Sequence, residues 1–98
     1  MILKGSQRKF LRSIAHHLNP QVIVGKNKLS ESTINFINES LHIHELIKVK
    51  FNDNAYKGVS KPTLVKLTKS HIVGDIGKIL ILYRQQDDDE LRKIKLPS

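Results

Sequence analysis

The sequence predicts one α/β (α+β) domain in which helices pack on a four-stranded mixed sheet. Segments whose apolar residues recur at three- and four-residue spacing alternate with short runs of Ile, Val and Leu. Their order is helix, strand, helix, strand, helix, strand, strand. Only Gly77-Lys78 separates the last two runs, which favours a tight hairpin and makes the sheet mixed. With 98 residues, the chain is long enough for one compact domain and too short for two.

The first helix is predicted over residues 6–18, with Ser6 as a candidate N-cap. Its apolar stripe consists of Phe10, Leu11, Ile14, Ala15 and Leu18. Asn19-Pro20 ends this helix, because proline cannot continue it and disfavours helix at the residue before it. Residues 21–24 are rich in β-branched side chains and stand before Gly25, which predicts a short buried strand.

The second helix is predicted to begin at Ser30, whose hydroxyl can cap it. Leu29 before this cap and Ile34 after it match a hydrophobic staple. The face expected to be buried carries Ile34, Ile37 and Leu41. Residues 46–51 then alternate, with Ile47, Val49 and Phe51 on one side and Lys48 and Lys50 on the other. This alternation predicts a half-exposed strand with a basic outer face.

Residues 52–70 combine helical and helix-breaking features. Asn52-Asp53-Asn54 is typical of a turn or a helix cap, and the helix that follows is predicted to end near Lys69. Pro62 lies inside this span. The helix is therefore expected either to be shortened or kinked, or to begin only at Ser60 with the proline in its first turn.

Strands over residues 71–76 and 79–83 complete the predicted domain, which spans residues 1–84. Residues 85–98 begin with a polar and acidic run and continue with interleaved basic and apolar residues. This change of composition marks the end of the domain. The last segment is either a loose tail or a short docking helix, and a polar, flexible C-terminal tail is the prediction.

The charge of the chain points to an anionic partner. Seventeen Lys and Arg residues stand against nine Asp and Glu residues, giving a formal net charge of +8. Such an excess favours RNA, DNA or an acidic membrane surface, although solubility alone is the alternative. The chain has no Cys, which excludes disulfides and thiolate metal sites. No apolar run has the length of a membrane span or a signal core, so a cytoplasmic location is expected.

Four separated stretches resemble one known family. They are Gln7–Leu18, Val24-Gly25-Lys26-Asn27, His44–Lys50, and Ile76-Gly77 with Leu82-Tyr83-Arg84. In order and spacing they are similar to the CRM domain (chloroplast RNA splicing and ribosome maturation), of the stand-alone YhbY-like bacterial type, over about residues 3–84. The resemblance implies a helix-packed four-stranded mixed sheet, similar to the C-terminal domain of translation initiation factor three. It also implies RNA binding on the precursor of the large ribosomal subunit.

The chain departs from the family pattern at two places. The family loop is usually Gly-x-x-Gly, whereas here Lys28 takes the fourth position, losing one flexible residue and gaining one charge. The second departure is Pro62 with Gly58 in the third helix.

The loop Gly25-Lys26-Asn27-Lys28 is the first candidate RNA-binding element. Gly25 allows close approach of the backbone, Lys26 and Lys28 supply charge, and the following helix offers free N–H groups. A phosphate clamp and an ordinary turn with solvated lysines are both compatible with this pattern, and the family resemblance favours the clamp.

The second candidate element is the polar face of the first helix. Arg8, Arg12 and His16 recur at four-residue spacing, Lys9 lies near them, and no acidic residue occurs before Glu31. Lys48 and Lys50 either extend this surface or keep the sheet soluble. The five histidines form no metal-binding pattern, so neither a metal nor any other cofactor is expected.

These features predict a non-catalytic, monomeric RNA-binding protein with no membrane and no small-molecule substrate as partner. The resemblance implies that it assists assembly of the large ribosomal subunit. One alternative is a protein-interaction adaptor at the ribosome. Another is a binder of a different structured RNA, such as an intron. An enzyme such as a nuclease is disfavoured, because no catalytic nucleophile, metal cluster or carboxylate pair is evident.

Overall fold

The structure, a computed structural model, describes residues 1–98. The elements are α1 Gly5–Ala15, β1 Val22–Val24, α2 Glu31–His44, β2 Leu46–Phe51, α3 Asn54–Thr68, β3 His71–Ile76, β4 Ile79–Tyr83 and a short 3-10 helix Asp89–Leu91. The predicted order of elements is confirmed, and the bounds of β2, β3 and β4 coincide with the predicted ones. No helix combines the length and the apolar composition that crossing a bilayer requires.

The four strands form one mixed sheet in the order β1-β2-β4-β3. β1 is parallel to β2, and the other two pairs are antiparallel. At the end of the sheet where β1 and β2 finish, the register aligns one residue from each strand. This outer row consists of Ile23, Lys50, Ile79 and Ile76, in the order β1, β2, β4, β3.

Helices cover both faces of the sheet. On one face, α2 and α3 enclose a core formed by Val22, Val24, Ile37, Leu41, Ile47, Val49, Phe51, Leu64, Leu80 and Leu82. On the other face, α1 packs against β2, β3 and β4. The second core consists of Leu3, Leu11, Ala15, Leu46, Val73, Ile81 and Tyr83. The expectation of a solvated outer face on β2 is therefore wrong for part of the strand, because α1 covers the row that contains Lys48.

The first helix begins earlier than predicted. Its N-cap is Lys4 rather than Ser6, because the Gln7 side chain accepts a hydrogen bond from the Lys4 backbone N–H at 2.9 Å. A glutamine at the third position of a helix can thus accept the hydrogen bond of the N-cap backbone N–H, even where the N-cap residue has no hydroxyl group. The second helix is capped as predicted, since Ser30 Oγ accepts a hydrogen bond from the Thr33 N–H.

The third helix runs through Pro62 without a break, so the expectation of a shortened helix or a late start at Ser60 is wrong. Asp53 caps it by accepting hydrogen bonds from two backbone N–H groups of the first turn. Pro62 costs the helix one N–H donor and crowds the carbonyl four residues earlier. That carbonyl belongs to Gly58, which has no side chain and whose surroundings are open, so the backbone there can adjust.

Residues 85–98 lie against the domain in the described conformation. The Glu45 carboxylate is fully buried and accepts backbone hydrogen bonds from Gln86, Lys93 and Ile94 at 2.7–3.0 Å. Ile94 and Leu96 also pack on the core beneath α1. The flexibility of this segment stays a prediction, but its contacts are those of a docked segment.

Candidate nucleic-acid interface

The loop between β1 and α2 is a closed turn with outward-facing side chains. The Lys28 N–H donates to the Gly25 carbonyl at 3.0 Å, while Lys26, Asn27 and Lys28 are exposed. Lys28 adopts a φ of 55°, the left-handed conformation that glycine enters without strain. The backbone therefore keeps, at Lys28, a conformation that favours the glycine of the Gly-x-x-Gly pattern.

Tyr56, from the first turn of α3, braces this loop. Its hydroxyl accepts a hydrogen bond from the Leu29 N–H at 3.0 Å, and the Lys28 ammonium lies 5.1 Å from the centroid of its ring. The second distance is within the range of a cation–π contact. Sequence reasoning missed Tyr56, because its partners lie in another element and no local pattern joins them.

The loop leaves backbone donors available. The N–H groups of Lys26 and Asn27 make no hydrogen bond within the protein. They stand close before the N-terminus of α2, where the helix dipole carries a partial positive charge. Successive unpaired N–H groups beside such a terminus can receive an anion such as a phosphate oxygen.

The arginines of α1 are partly committed to the fold. Arg8 donates from Nη1 to the Ile72 carbonyl at 2.9 Å, and Arg12 donates from Nη1 to the Val73 carbonyl at 3.0 Å. These carbonyls lie at an irregularity in the pairing of β3 with β4. Each guanidinium has five N–H groups and therefore keeps donors for another partner. The side chains of Lys9 and His16 are exposed and make no hydrogen bond within the protein.

The two lysines of β2 differ in their surroundings. Lys48 is half-buried, and its ammonium donates to the Leu18 carbonyl at 2.9 Å, which satisfies the chain just after α1. The side chain of Lys50 is exposed and makes no hydrogen bond or ion pair within the protein. The structure brings Lys48 together with Arg12 and His16 around a cavity of about 180 Å³. The rest of its lining consists of Ile76, Ile79 and Ile81.

Two further basic residues, outside the predicted site, have local surroundings that the structure describes. Arg84, from the last motif of the resemblance, is half-buried and donates to Asn38 of α2 and to the Thr68 carbonyl of α3. It ties the two helices together. Burial, the Arg8 guanidinium and the N-terminal amine lower the pKa of His71 below its ordinary value. His71 therefore adds no appreciable charge at neutral pH.

Comparison with known proteins identifies the family. The model of the CRS1/YhbY (CRM) domain matches residues 3–84. A Haemophilus influenzae protein named "RNA-binding protein" is 42% identical, over 97% of this chain and 95% of its own length. The Bacillus subtilis "Probable RNA-binding protein YqeI" is 39% identical, over 98% of this chain and 100% of its own length.

The fold also matches a solved structure. The solution structure of SAV1595 from Staphylococcus aureus superimposes with a TM-score of 0.77 and 34% identity. The superposition covers 98% of this chain and 100% of the other. Sequence and fold agree over nearly the whole chain, which therefore belongs to the CRS1/YhbY (CRM) domain family.

Proposed function

We propose that this protein binds RNA through the sugar-phosphate backbone and assists assembly of the large ribosomal subunit, without catalysing a reaction. The observation that carries the proposal is the loop Gly25–Lys28, which combines two unpaired backbone N–H groups with exposed lysines before a helix N-terminus. The relatives named as RNA-binding proteins support the choice of RNA over other polyanions.

The loop would hold a phosphate in two ways. The N–H groups of Lys26 and Asn27 donate to phosphate oxygens at short range, and the lysine ammonium groups attract the backbone at longer range. Tyr56 keeps the loop in position for this contact, so little conformational entropy is lost on binding.

A second group of basic side chains extends the contact. Phosphates adjacent to the loop would be bound by side chains of α1, namely Lys9, His16 and the unused donors of Arg8 and Arg12. Lys50 would bind a phosphate from the surface of the sheet. Binding of this kind depends on charge and shape more than on base sequence. It suits a monomeric cytoplasmic factor that recognises a folded precursor RNA.

The choice of the large-subunit precursor rests on the resemblance to CRM domains. The alternatives remain an intron or other structured RNA, and a protein-interaction adaptor at the ribosome. An adaptor would associate with little dependence on salt, whereas a backbone binder loses affinity steeply as salt rises.

The loop is tested by the double variant Lys26→Glu and Lys28→Glu. Its matched control is Lys66→Glu with Lys95→Glu, which makes the same change of charge at exposed lysines that have no partner in the structure. Binding to labelled ribosomal RNA fragments is measured by fluorescence anisotropy across a salt series. The loop variant should lose binding and the control should keep most of it, and equal losses would refute the assignment of the loop.

The cellular target is tested by sedimentation of a lysate at low and high salt. The protein should travel with large-subunit precursors at low salt and return to the top of the gradient at high salt. Migration at the top under both conditions would contradict the ribosomal target. The labelled RNA should stay full-length during all binding experiments, and its cleavage with turnover would contradict a non-catalytic role.

A further inference from the structure

The three isoleucines of the outer row, together with Lys50, form an exposed strip on the same face as α1. Because α1 ends at Ala15 and covers the neighbouring rows, it leaves this row open to solvent. The side chains of Ile23 and Ile76 are 65% and 64% exposed, and Ile79 is partly exposed between them. Three of the four strands contribute an isoleucine to this row, and β2 contributes Lys50 between Ile23 and Ile79. Exposed aliphatic side chains aligned beside a lysine in this way are typical of an interaction surface.

The cavity of about 180 Å³ adjoins this strip and shares Ile76 and Ile79 with it. Its remaining walls combine the aliphatic side chain of Ile81 with three basic residues, Arg12, His16 and Lys48. The hydrogen bond from Arg12 to the Val73 carbonyl holds its planar guanidinium at the edge of the cavity. Neither the cavity nor the outer row contains a carboxylate.

These surroundings favour one kind of occupant. The isoleucine side chains form an apolar surface, and cationic side chains lie beside it. Such a surface complements a flat aromatic ring that is covalently attached to an anion. An unpaired nucleotide has this composition, whereas a regular duplex keeps the faces of its bases stacked inside and presents phosphates, 2′-hydroxyl groups and base edges. A protein partner would need acidic side chains and an apolar surface at the same spacing.

We propose that the outer row and its adjoining cavity bind an unpaired base of the RNA while the loop Gly25–Lys28 holds the backbone nearby. Ile23 lies two residues before Gly25, so one short single-stranded segment can reach both. The proposal rests on the proposed RNA-binding function and narrows its substrate to RNA with unpaired nucleotides, such as loops and bulges. Apolar side chains that pack against the faces of displaced bases are a known mode of base recognition.

The test compares two oligomers of equal length, an unstructured oligoribonucleotide and its abasic analogue, which keeps the phosphates and lacks the bases. The full chain should bind the first about tenfold more tightly, as expected when a base covers exposed isoleucine side chains. In methyl NMR spectra, the signals of Ile23, Ile76 and Ile79 should shift with the first oligomer and stay unchanged with the second.

The matched variants are Ile23→Ser with Ile76→Ser, and, as the control, Ile2→Ser with Val59→Ser. All four side chains are largely exposed, so the fold should persist. The first pair should bind the unpaired oligomer about tenfold more weakly, with the same salt dependence and an unchanged affinity for a duplex of equal length. The control pair should bind both as the parent does.

The outcomes separate the two proposals. Equal binding of the abasic and base-containing oligomers overturns the base-binding proposal and leaves the RNA-binding function standing. If the Ile23→Ser/Ile76→Ser variant and its control bind the unpaired oligomer with equal affinity, the base-binding proposal is likewise overturned and the RNA-binding function stands. Absence of binding to either oligomer and to the duplex overturns the RNA-binding function itself.

Discussion

The Lys28 ammonium lies 5.1 Å from the centroid of the Tyr56 ring, while the hydroxyl of the same tyrosine accepts a hydrogen bond from the next residue of the loop, Leu29. A side chain of α3 thereby holds the junction between the candidate phosphate-binding loop and α2. The position of the loop depends on the packing of α3 as well as on the loop sequence itself.

Replacing Tyr56 with Phe removes the hydroxyl and keeps the ring. The Leu29 N–H then loses its partner, so the free energy of unfolding should fall by about 1 kcal/mol. Urea denaturation measures this loss, and amide hydrogen exchange at Leu29 should accelerate beyond what the global loss explains. Unchanged exchange at Leu29 would show that the hydroxyl does not fix the loop.

Replacing Lys28 with Gly separates charge from backbone conformation. A left-handed φ costs an L-residue about 1–2 kcal/mol, and the cation–π contact returns about 0.5–1 kcal/mol. These effects have opposite signs, so the free energy of unfolding should change by about 1.5 kcal/mol or less. The slope of log affinity against log salt should become shallower by about 0.7–0.9, the value for one phosphate contact.

The control for this variant is Lys28→Arg, which keeps the charge and should keep the slope. If Lys28→Gly binds RNA with the same salt slope as the parent, Lys28 makes no contact with phosphate.

Gly74 allows β3 to approach the side chain of Ile81 closely. A Cβ at position 74 would lie 2.7 Å from Ile81 Cδ1. Gly74→Ala should therefore destabilise the protein by about 1–3 kcal/mol, the usual cost of overpacking. Ile81→Val removes this methyl group. In a protein that already carries Ile81→Val, Gly74→Ala should therefore lower the free energy of unfolding by less than it does in the parent. Additive losses in thermal denaturation would exclude the proposed clash.

Asp75 links β3 to α3 through Lys57 and Lys61. Hydrogen bonds from these lysines lower its pKa below the ordinary value of 3.8. The ion pairs therefore stabilise the fold fully above the pKa of the unfolded chain. This contribution is lost as the pH falls through the lower pKa of the folded state.

Asp75→Asn should lower the free energy of unfolding by about 1 kcal/mol at neutral pH, because the carboxylate is partly exposed. The difference from the parent should shrink as the pH falls below about 4. The control Glu39→Gln changes an exposed carboxylate that has no ion pair and should have little effect. A difference for Asp75→Asn that is independent of pH would contradict this role.

Glu45 joins the last segment of the chain to the domain. Its two carboxylate oxygens accept three backbone hydrogen bonds from that segment. A glutamine at position 45 has only one side-chain oxygen, so its N–H₂ group would face a backbone N–H donor. Glu45→Gln should cost about 1–3 kcal/mol and raise hydrogen exchange at Lys93 and Ile94. Rapid exchange at both amides in the parent would instead support the predicted flexible tail.

Local patterns predicted most of the elements, because a strand or a helix depends on near neighbours in the chain. The alternation over residues 46–51 predicted the bounds of β2 and the side on which Val49 is buried. The same alternation could not predict that α1 would cover Lys48, since the choice of sheet face depends on tertiary packing. Likewise, Pro62 is a strong local helix breaker that tertiary packing of α3 overrides.

The candidate site was predictable only in its composition. Lys26, Lys28 and the cations of α1 are visible in the sequence, but the hydrogen bonds from Arg8 and Arg12 to β3 are not. The outer row requires strand order and register, because Ile23 and Ile76 are far apart in the chain and belong to opposite edges of the sheet. The burial of Glu45 also depends on contacts with residues more than 40 positions away.

The last strand of the chain, β4, lies between β2 and β3 in the sheet. During synthesis, β2 and β3 leave the ribosome first and have no pairing with each other until residues 79–83 follow. A nascent chain that ends before Ile79 also lacks the apolar side chains which β4 contributes to both cores. The complete sheet therefore cannot form before residues 79–83 have been made, and the outer row with its cavity cannot exist before then.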